Sequence, residues 1–273
     1  MKLDRISLDS VTFVCVLKAC GCTGCSMKLN EIHANVISHG LEENIAIGST
    51  LINVYASCGL LIEAQAVFDR IPIQDMVMWT ALISGYSECG HGMKALDCFK
   101  KMQEHGISPG PVTFLCVLKS CASIGSIIKG QEIHNEIVKI GVEGELFIGS
   151  SLVDMYAKCC FLEEAQCVFD ISSPSRNIVT WTALITGYTE HGRNEQAIEC
   201  FENLQKEGTA SPNATTFVSI LKACGNIGVV KKGQEIHAEV DRKGLVENDA
   251  FIGSILVDMY VKCGSLPKAR EVF

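Results

Sequence analysis

A chain of 273 residues with 48% hydrophobic and 20% charged side chains is a globular sequence, and its length alone predicts one large domain or two small ones. Its 31 acidic and 23 basic residues leave a net charge of −8, which excludes a protein that grips nucleic acid through bulk positive charge. The uncharged run Gly208 to Leu221 is broken by Pro212 and falls short of the roughly 18–20 residues a bilayer span needs, so no membrane partner is expected. Fifteen cysteines, an odd number set mostly in apolar helical patterns, point to a reducing compartment. Met1 leads straight into KLDRISLD with no apolar or Arg/Ser-rich leader, so the chain is either cytosolic or lacks its targeting segment.

Internal repetition overrides the domain count. FVCVLKAC at Phe13–Cys20 returns as FLCVLKSC at Phe114–Cys121 and FVSILKAC at Phe217–Cys224. EIHA at Glu31–Ala34 returns as EIHN at Glu132–Asn135 and as EIHA at Glu235–Ala238, and IGSTL at Ile47–Leu51 returns as IGSSL at Ile148–Leu152 and IGSIL at Ile252–Leu256. WTALISGY at Trp79–Tyr86 returns as WTALITGY at Trp181–Tyr188. The period is about 102 residues, and it divides again into three. Within each third, stretches such as Glu63–Asp69 and Met93–Met102 space apolar residues by three and four, the mark of a helix with one buried face. Pro72, Pro109, Pro111, Pro174 and Pro212 stand at junctions, where proline stops a helix, and Pro267 suits a helix's first turn.

In chain order, residues 1–9 close a unit whose beginning is absent. Residues 10–44, 45–75 and 76–110 follow as units of long, short and long length. The same three types return as 111–145, 146–177 and 178–213. Residues 214–249 open a third round, and 250–273 stop inside a second helix. Each unit predicts two helices joined by a tight turn. Such a hairpin cannot bury its own apolar face and must stack on its neighbours. The expected fold is all-α: an α-solenoid, a right-handed superhelix of stacked helix-turn-helix repeats.

The alternating lengths, with the words VLKAC, EIHA, LVDMYAKC, AQxVFD and WTALISGY, resemble the pentatricopeptide repeat family, and more narrowly its PLS subclass of land plants. The resemblance covers essentially the whole chain. In that scheme 1–9 ends a P repeat, and 76–110 and 178–213 are P repeats. Residues 10–44, 111–145 and 214–249 are L repeats, 45–75 and 146–177 are S repeats, and 250–273 is a truncated S repeat. The tetratricopeptide repeat, a uniform peptide-binding hairpin, fits less well because its W-x2-L-G-x2-Y word is missing.

The resemblance implies a mechanism, carried over from the family and not deduced from these residues. One base of single-stranded RNA is read per repeat, the second residue packing on bases and the fifth and last residues bonding one base edge. Ser49 with Asp75 is then expected to favour G. Ser150 with Asn177, and Thr182 with Asn213, are expected to favour A. Thr80 is paired with Gly110, which has no side chain, so that repeat is expected to prefer a purine weakly or to read no base. The L repeats carry Val14, Leu115 and Val218 at the fifth place, which cannot hydrogen-bond, and end in Asn44, Glu145 and Asp249. Ser254 has no partner before the chain stops. The second-place residues are Val11, Ala46, Val77, Val112, Phe147, Val179, Thr215 and Phe251. Lys158 and Lys262 match a lysine the family places near the RNA backbone. Lys18, Lys119 and Lys222 recur at another fixed place. Ordinary helix capping is the other reading of the Ser and Thr residues, and it leaves the matched polar residue at each repeat's end unexplained.

Two words imitate catalytic chemistry. His134-Asn135-Glu136 and His237-Ala238-Glu239 have the H-x-E pattern of zinc deaminases, but no P-C-x-x-C follows, and the third copy reads His33-Ala34-Asn35. Cys22-x2-Cys25 has no second ligand pair, and recurring cysteines such as Cys20, Cys121 and Cys224 read as small packing residues. No metal, cofactor, catalytic residue or small-molecule substrate is therefore expected. The reading is a non-enzymatic specificity part of an organellar RNA-editing (C-to-U) or RNA-processing factor, in mitochondrion or chloroplast, with single-stranded RNA as its partner and a deaminase-bearing or other editing factor as a candidate second one. The alternative is a protein–protein scaffold that reads no RNA.

Overall fold

The computed structural model describes residues 9–23, 26–143, 145–172, 176–245 and 250–272. Residues 1–8 of the first segment, Cys25 and Asp249 lie outside that set. The described residues are all-α, with no strand among them. In order, the helices are α1 (Ser10–Thr23), α2 (Ser26–Ser38), α3 (Ile45–Ser57), α4 (Leu61–Arg70), α5 (Met76–Glu88), α6 (Gly92–Glu104), α7 (Pro111–Ile124) and α8 (Ile127–Ile140). They continue with α9 (Leu146–Lys158), α10 (Leu162–Ile171), α11 (Ile178–Glu190), α12 (Asn194–Glu207), α13 (Ala214–Ile227), α14 (Val230–Arg242), α15 (Ala250–Lys262) and α16 (Leu266–Val272). The uncharged residues 44–62, a longer run than 208–221, are divided between α3 and α4. No described helix is long and apolar enough to cross a membrane.

Two compact units divide the chain, Met1–Ile124 and Gly125–Phe273. Within the first, α1, α3, α5 and α7 pack each on the next, while α4 and α6 lie against the helices on either side of them in sequence. Within the second, α9, α11, α13 and α15 form the same kind of row, with α10, α12 and α14 behind them. Each unit is thus a stack of helix-turn-helix pairs, as a repeat solenoid requires.

Sequence repetition becomes repeated contact. Trp79 meets Phe68 edge to face at 4.6 Å in the first unit, and Trp181 meets Phe169 in the same way at 4.6 Å in the second. Phe99 and Phe114 pair at 6.2 Å, as do Phe201 and Phe217. Neighbouring front-row helices approach closely at a glycine: a Cβ on Gly85 would lie 2.6 Å from Ala56 Cβ, and one on Gly187 2.5 Å from Ala157 Cβ. Any larger residue there forces the rows apart.

One turn departs from the pattern. Gly59 and Gly264 take left-handed backbone, φ 74°, after α3 and α15, and the same place after α9 holds Cys160 at φ 67°. That conformation costs a non-glycine residue about 1–2 kcal/mol. Cys160 Sγ lies 2.8 Å from His191 Nδ1, whose Nε2 lies 2.8 Å from Ala157 O.

Candidate nucleic-acid interface

Helical geometry defines the candidate surface. At about 100° per residue, the second, fifth, ninth and thirteenth residues of a helix share an arc of about 80°. On the front-row helices this arc is the one left open. The second residue is apolar and exposed on six of them: Val11, Val77, Val112, Phe147, Val179 and Phe251, with Val77 52% and Phe147 67% accessible. Ala46 and Thr215 occupy the place on the other two and are also exposed. Apolar side chains held out at the same position of successive helices are not core residues.

The fifth residues lie one turn further along. Ser49, Thr80 and Thr182 are half-buried, Ser254 is exposed, and Ser150 is buried with its hydroxyl donating to Phe147 O at 3.0 Å. Ser254 Oγ donates to Ala250 O at 3.1 Å. Thr80 Oγ1 lies 2.8 Å from Thr113 Oγ1, and Thr182 Oγ1 lies 2.8 Å from Thr216 Oγ1. None of these residues caps a helix.

The capping falls on their partners. Asp75, Asn177 and Asn213 are the N-caps of α5, α11 and α13, accepting the backbone N–H of Met78, Thr180 and Thr216, each at 2.9 Å. Asn44 caps α3 through Ala46 N and Ile47 N. The polar residue at a repeat's end therefore has a structural duty of its own, contrary to the expectation that capping leaves it unexplained. The cap places a short polar side chain beside the first turn of the next helix, with part of its hydrogen-bonding capacity unused. Glu145 makes no cap bond at α9. Gly110, ahead of α7, sends its N–H to Thr113 Oγ1 at 3.4 Å.

The lysines divide into two sets. Lys158 bonds Asp154 at 2.8 Å and Lys262 bonds Asp258 at 2.7 Å, both exposed pairs four residues apart on one helix. Their charge is half committed. Lys18, Lys119 and Lys222, at the ninth place, are exposed. Glu88 and Glu190 stand at the thirteenth place of α5 and α11, so the arc carries both signs.

Beneath the open arc lie residues whose role the sequence reading missed. His33, His134 and His237 each place Nδ1 on a tyrosine hydroxyl of the following front-row helix: Tyr55 at 2.9 Å, Tyr156 at 2.8 Å and Tyr260 at 2.9 Å. The H-x-E words are thus seams between hairpins. Their signal was in the sequence, since each His is followed about 22 residues later by a Tyr. Burial pushes the Tyr55 and Tyr156 hydroxyls up to about 12. Burial likewise pushes the Cys98 thiol up to about 11 and those of Cys200 and Cys224 up to about 12, so these recurring cysteines pack as neutral thiols. Among the described residues, no three His, Cys, Asp or Glu side chains gather to hold a metal ion.

These paired helices, with their repeated joints and open arc, match known proteins. The PPR repeat family profile fits residues 74–123 and 176–226, and the single PPR repeat fits residues 49–73. The chain belongs to the pentatricopeptide repeat family. A chloroplastic pentatricopeptide repeat-containing protein of Arabidopsis thaliana is 39% identical over 83% of this chain and 36% of its own length. A mitochondrial one from the same plant is 36% identical over 98% of this chain and 42% of its own length. The chain thus spans less than half the length of these curated relatives. Among solved structures, the pentatricopeptide repeat protein PPR10 in complex with an 18-nucleotide psaJ RNA element superposes with a TM-score of 0.81 at 20% identity, over 97% of this chain and 39% of that one. PPR10 from maize superposes at 0.56 with 19% identity, over 97% of this chain and 43% of that one. At such identity the likeness is one of pentatricopeptide fold.

Proposed function

We propose that the open arc binds single-stranded RNA, one base per repeat, with the divisions at 10–44, 45–75, 76–110, 111–145, 146–177, 178–213 and 214–249. The observation that carries this reading is the row of exposed apolar second residues, each set beside a hydroxyl-bearing fifth residue on the P and S repeats. Bases are flat and apolar on their faces and polar at their edges, and such a surface offers both complements. PPR10, a family member of the same fold, is named as binding an RNA element.

The Ser49 and Asp75 repeat takes G, because a carboxylate only accepts and suits the N–H groups of guanine. The Ser150 and Asn177 repeat and the Thr182 and Asn213 repeat take adjacent A bases. Val77, Phe147, Val179 and Phe251 pack on base faces. Lys158 and Lys262 approach the phosphate backbone, sharing their charge with Asp154 and Asp258. Thr80 and Ser254 lie on the same arc without a reading partner. With a net charge of −8, affinity comes from the arc and not from the whole surface.

The alternation of repeat lengths supports the PLS subclass, and with it a place as the specificity part of a C-to-U editing or RNA-processing factor whose catalysis is supplied elsewhere. The chloroplastic and mitochondrial names of its relatives support an organellar site of action. Gel shifts test the core of this reading. Saturable binding to single-stranded RNA, with weak binding to duplex and to DNA, is the expected result. Equal or absent binding to all three leaves the scaffold alternative in possession.

A further inference from the structure

The base reading proposed above leaves open how an asparagine, which can donate or accept, presents only one face. Asn213 Oδ1 accepts two protons from one residue, the backbone N–H of Thr216 at 2.9 Å and the hydroxyl of Thr216 at 2.9 Å. An amide oxygen has two lone pairs, so Oδ1 is filled and the amide is held in one orientation. What remains for a ligand is the Nδ2 hydrogens. Thr216 has a single hydroxyl proton, and Asn213 has taken it. At the 2.8 Å contact between Thr216 Oγ1 and Thr182 Oγ1, Thr216 must therefore accept and Thr182 must donate. Thr182 is left with lone pairs only. Thr216 itself is fully buried.

The other end residues show what this clamp adds. Asn177 is held in the same way by Thr180, at 2.9 Å from N and 3.0 Å from Oγ1. The residue three past Asp75 is Met78, which supplies only its N–H, so that carboxylate keeps its second oxygen open. In the repeat at 76–110, Gly110 offers no acceptor side chain, and either hydroxyl of the Thr80–Thr113 contact can be the donor. Of two repeats with the same fifth residue, only the one at 178–213 has its polarity fixed.

We propose that Thr216 is a specificity-determining residue of the 178–213 repeat, although it belongs to the next repeat and does not touch the base. One buried hydroxyl fixes Asn213 as donor to a ring nitrogen and Thr182 as acceptor from an exocyclic amine. Adenine has that edge, and cytosine shares it. Guanine and uracil carry a ring N–H beside a carbonyl, so they meet donor with donor and lone pair with lone pair.

Selection from a pool of random single-stranded RNA on the full chain, followed by sequencing, tests the clamp. Thr216→Val keeps the shape and removes the hydroxyl. It is expected to cut the preference for A over G at one base by about tenfold, the worth of one hydrogen bond, while Thr216→Ser keeps the preference. Asn213→Asp, expected to move the same base toward G, locates the position and tests the underlying reading. An unchanged profile in Thr216→Val beside a shifted one in Asn213→Asp overturns the clamp and spares the reading; no shift in either overturns both. A second arm avoids dependence on one buried substitution. Gly110→Asn should build the clamp in the repeat at 76–110 and give it an A preference, which Thr113→Val in that background should remove. Equal preference with and without Thr113 overturns the proposal.

Discussion

Residues 76–110 and 178–213 hold the same side chains in the same contacts below the surface: Trp79 and Trp181 on a phenylalanine of the preceding hairpin, Gly85 and Gly187 against an alanine, Thr80 and Thr182 against a threonine of the next front-row helix. They differ around that frame. Just ahead of the first, Gln74 donates to Ile71 O at 2.7 Å, where just ahead of the second Arg176 stacks 4.3 Å from Phe169 and bonds Glu207 at 3.1 Å. His105 lies 5.6 Å from the Trp79 ring. The helix after the first repeat begins at a glycine, that after the second at a capping asparagine. Constraint is set by stacking, which both repeats must satisfy identically, while the end residue answers only to the cap and to whatever lies on the open arc.

The largest way to break this comparison is at the tryptophans. Trp79→Ala and Trp181→Ala should each cost about 3–5 kcal/mol in urea unfolding, and by similar amounts; a marked inequality would mean the two frames are not equivalent. Next, Gly85→Ala and Gly187→Ala should each destabilise by about 1–3 kcal/mol through overpacking, less up to about 1 kcal/mol returned by alanine's helix propensity. A stabilising outcome in thermal melts would show that the rows can part freely. Asn213→Ala should cost about 1 kcal/mol through the lost cap, and Gly110→Asn should gain a few tenths; calorimetry that finds both unchanged would remove the cap from the account.

The smallest effect concerns the seams. Burial, then the positive charge of Arg70, holds His33 below its ordinary range, with Glu42 opposing. The unfolded chain then takes up a proton before the folded one does. The stability His33 contributes is present above about pH 6.5 and is lost as pH falls through its lower folded value. The melting advantage of wild type over His33→Gln should shrink between pH 7.5 and 5.5. A constant advantage across that interval would discard the seam's pH dependence.

Hairpins were legible because their buried faces recur at three and four residues, as Leu61, Ala64, Val67 and Phe68 do in α4. The ion pairs of Lys158 and Lys262 were equally legible, each with an aspartate four residues before it. Capping by Asn177 and Asn213 could be read from Asn-x-x-Thr ahead of an apolar run, but the base-reading role assigned to the same residues displaced it. The Thr216 contact with Thr182 could not be read at all. It joins side chains 34 positions apart, and the direction of its proton follows only from counting hydroxyl hydrogens in space.

Trp79 and Trp181 are the chain's only tryptophans, one in each compact unit, with buried indole nitrogens that find no hydrogen-bond partner among the described residues. Shielded from water and unbonded, both rings should emit at the blue end of the indole range while their unit is folded. Trp79→Phe and Trp181→Phe would each silence one lamp. The remaining fluorescence would then report the melting of a single unit, so that separate or concerted unfolding of the two could be watched without attaching any dye.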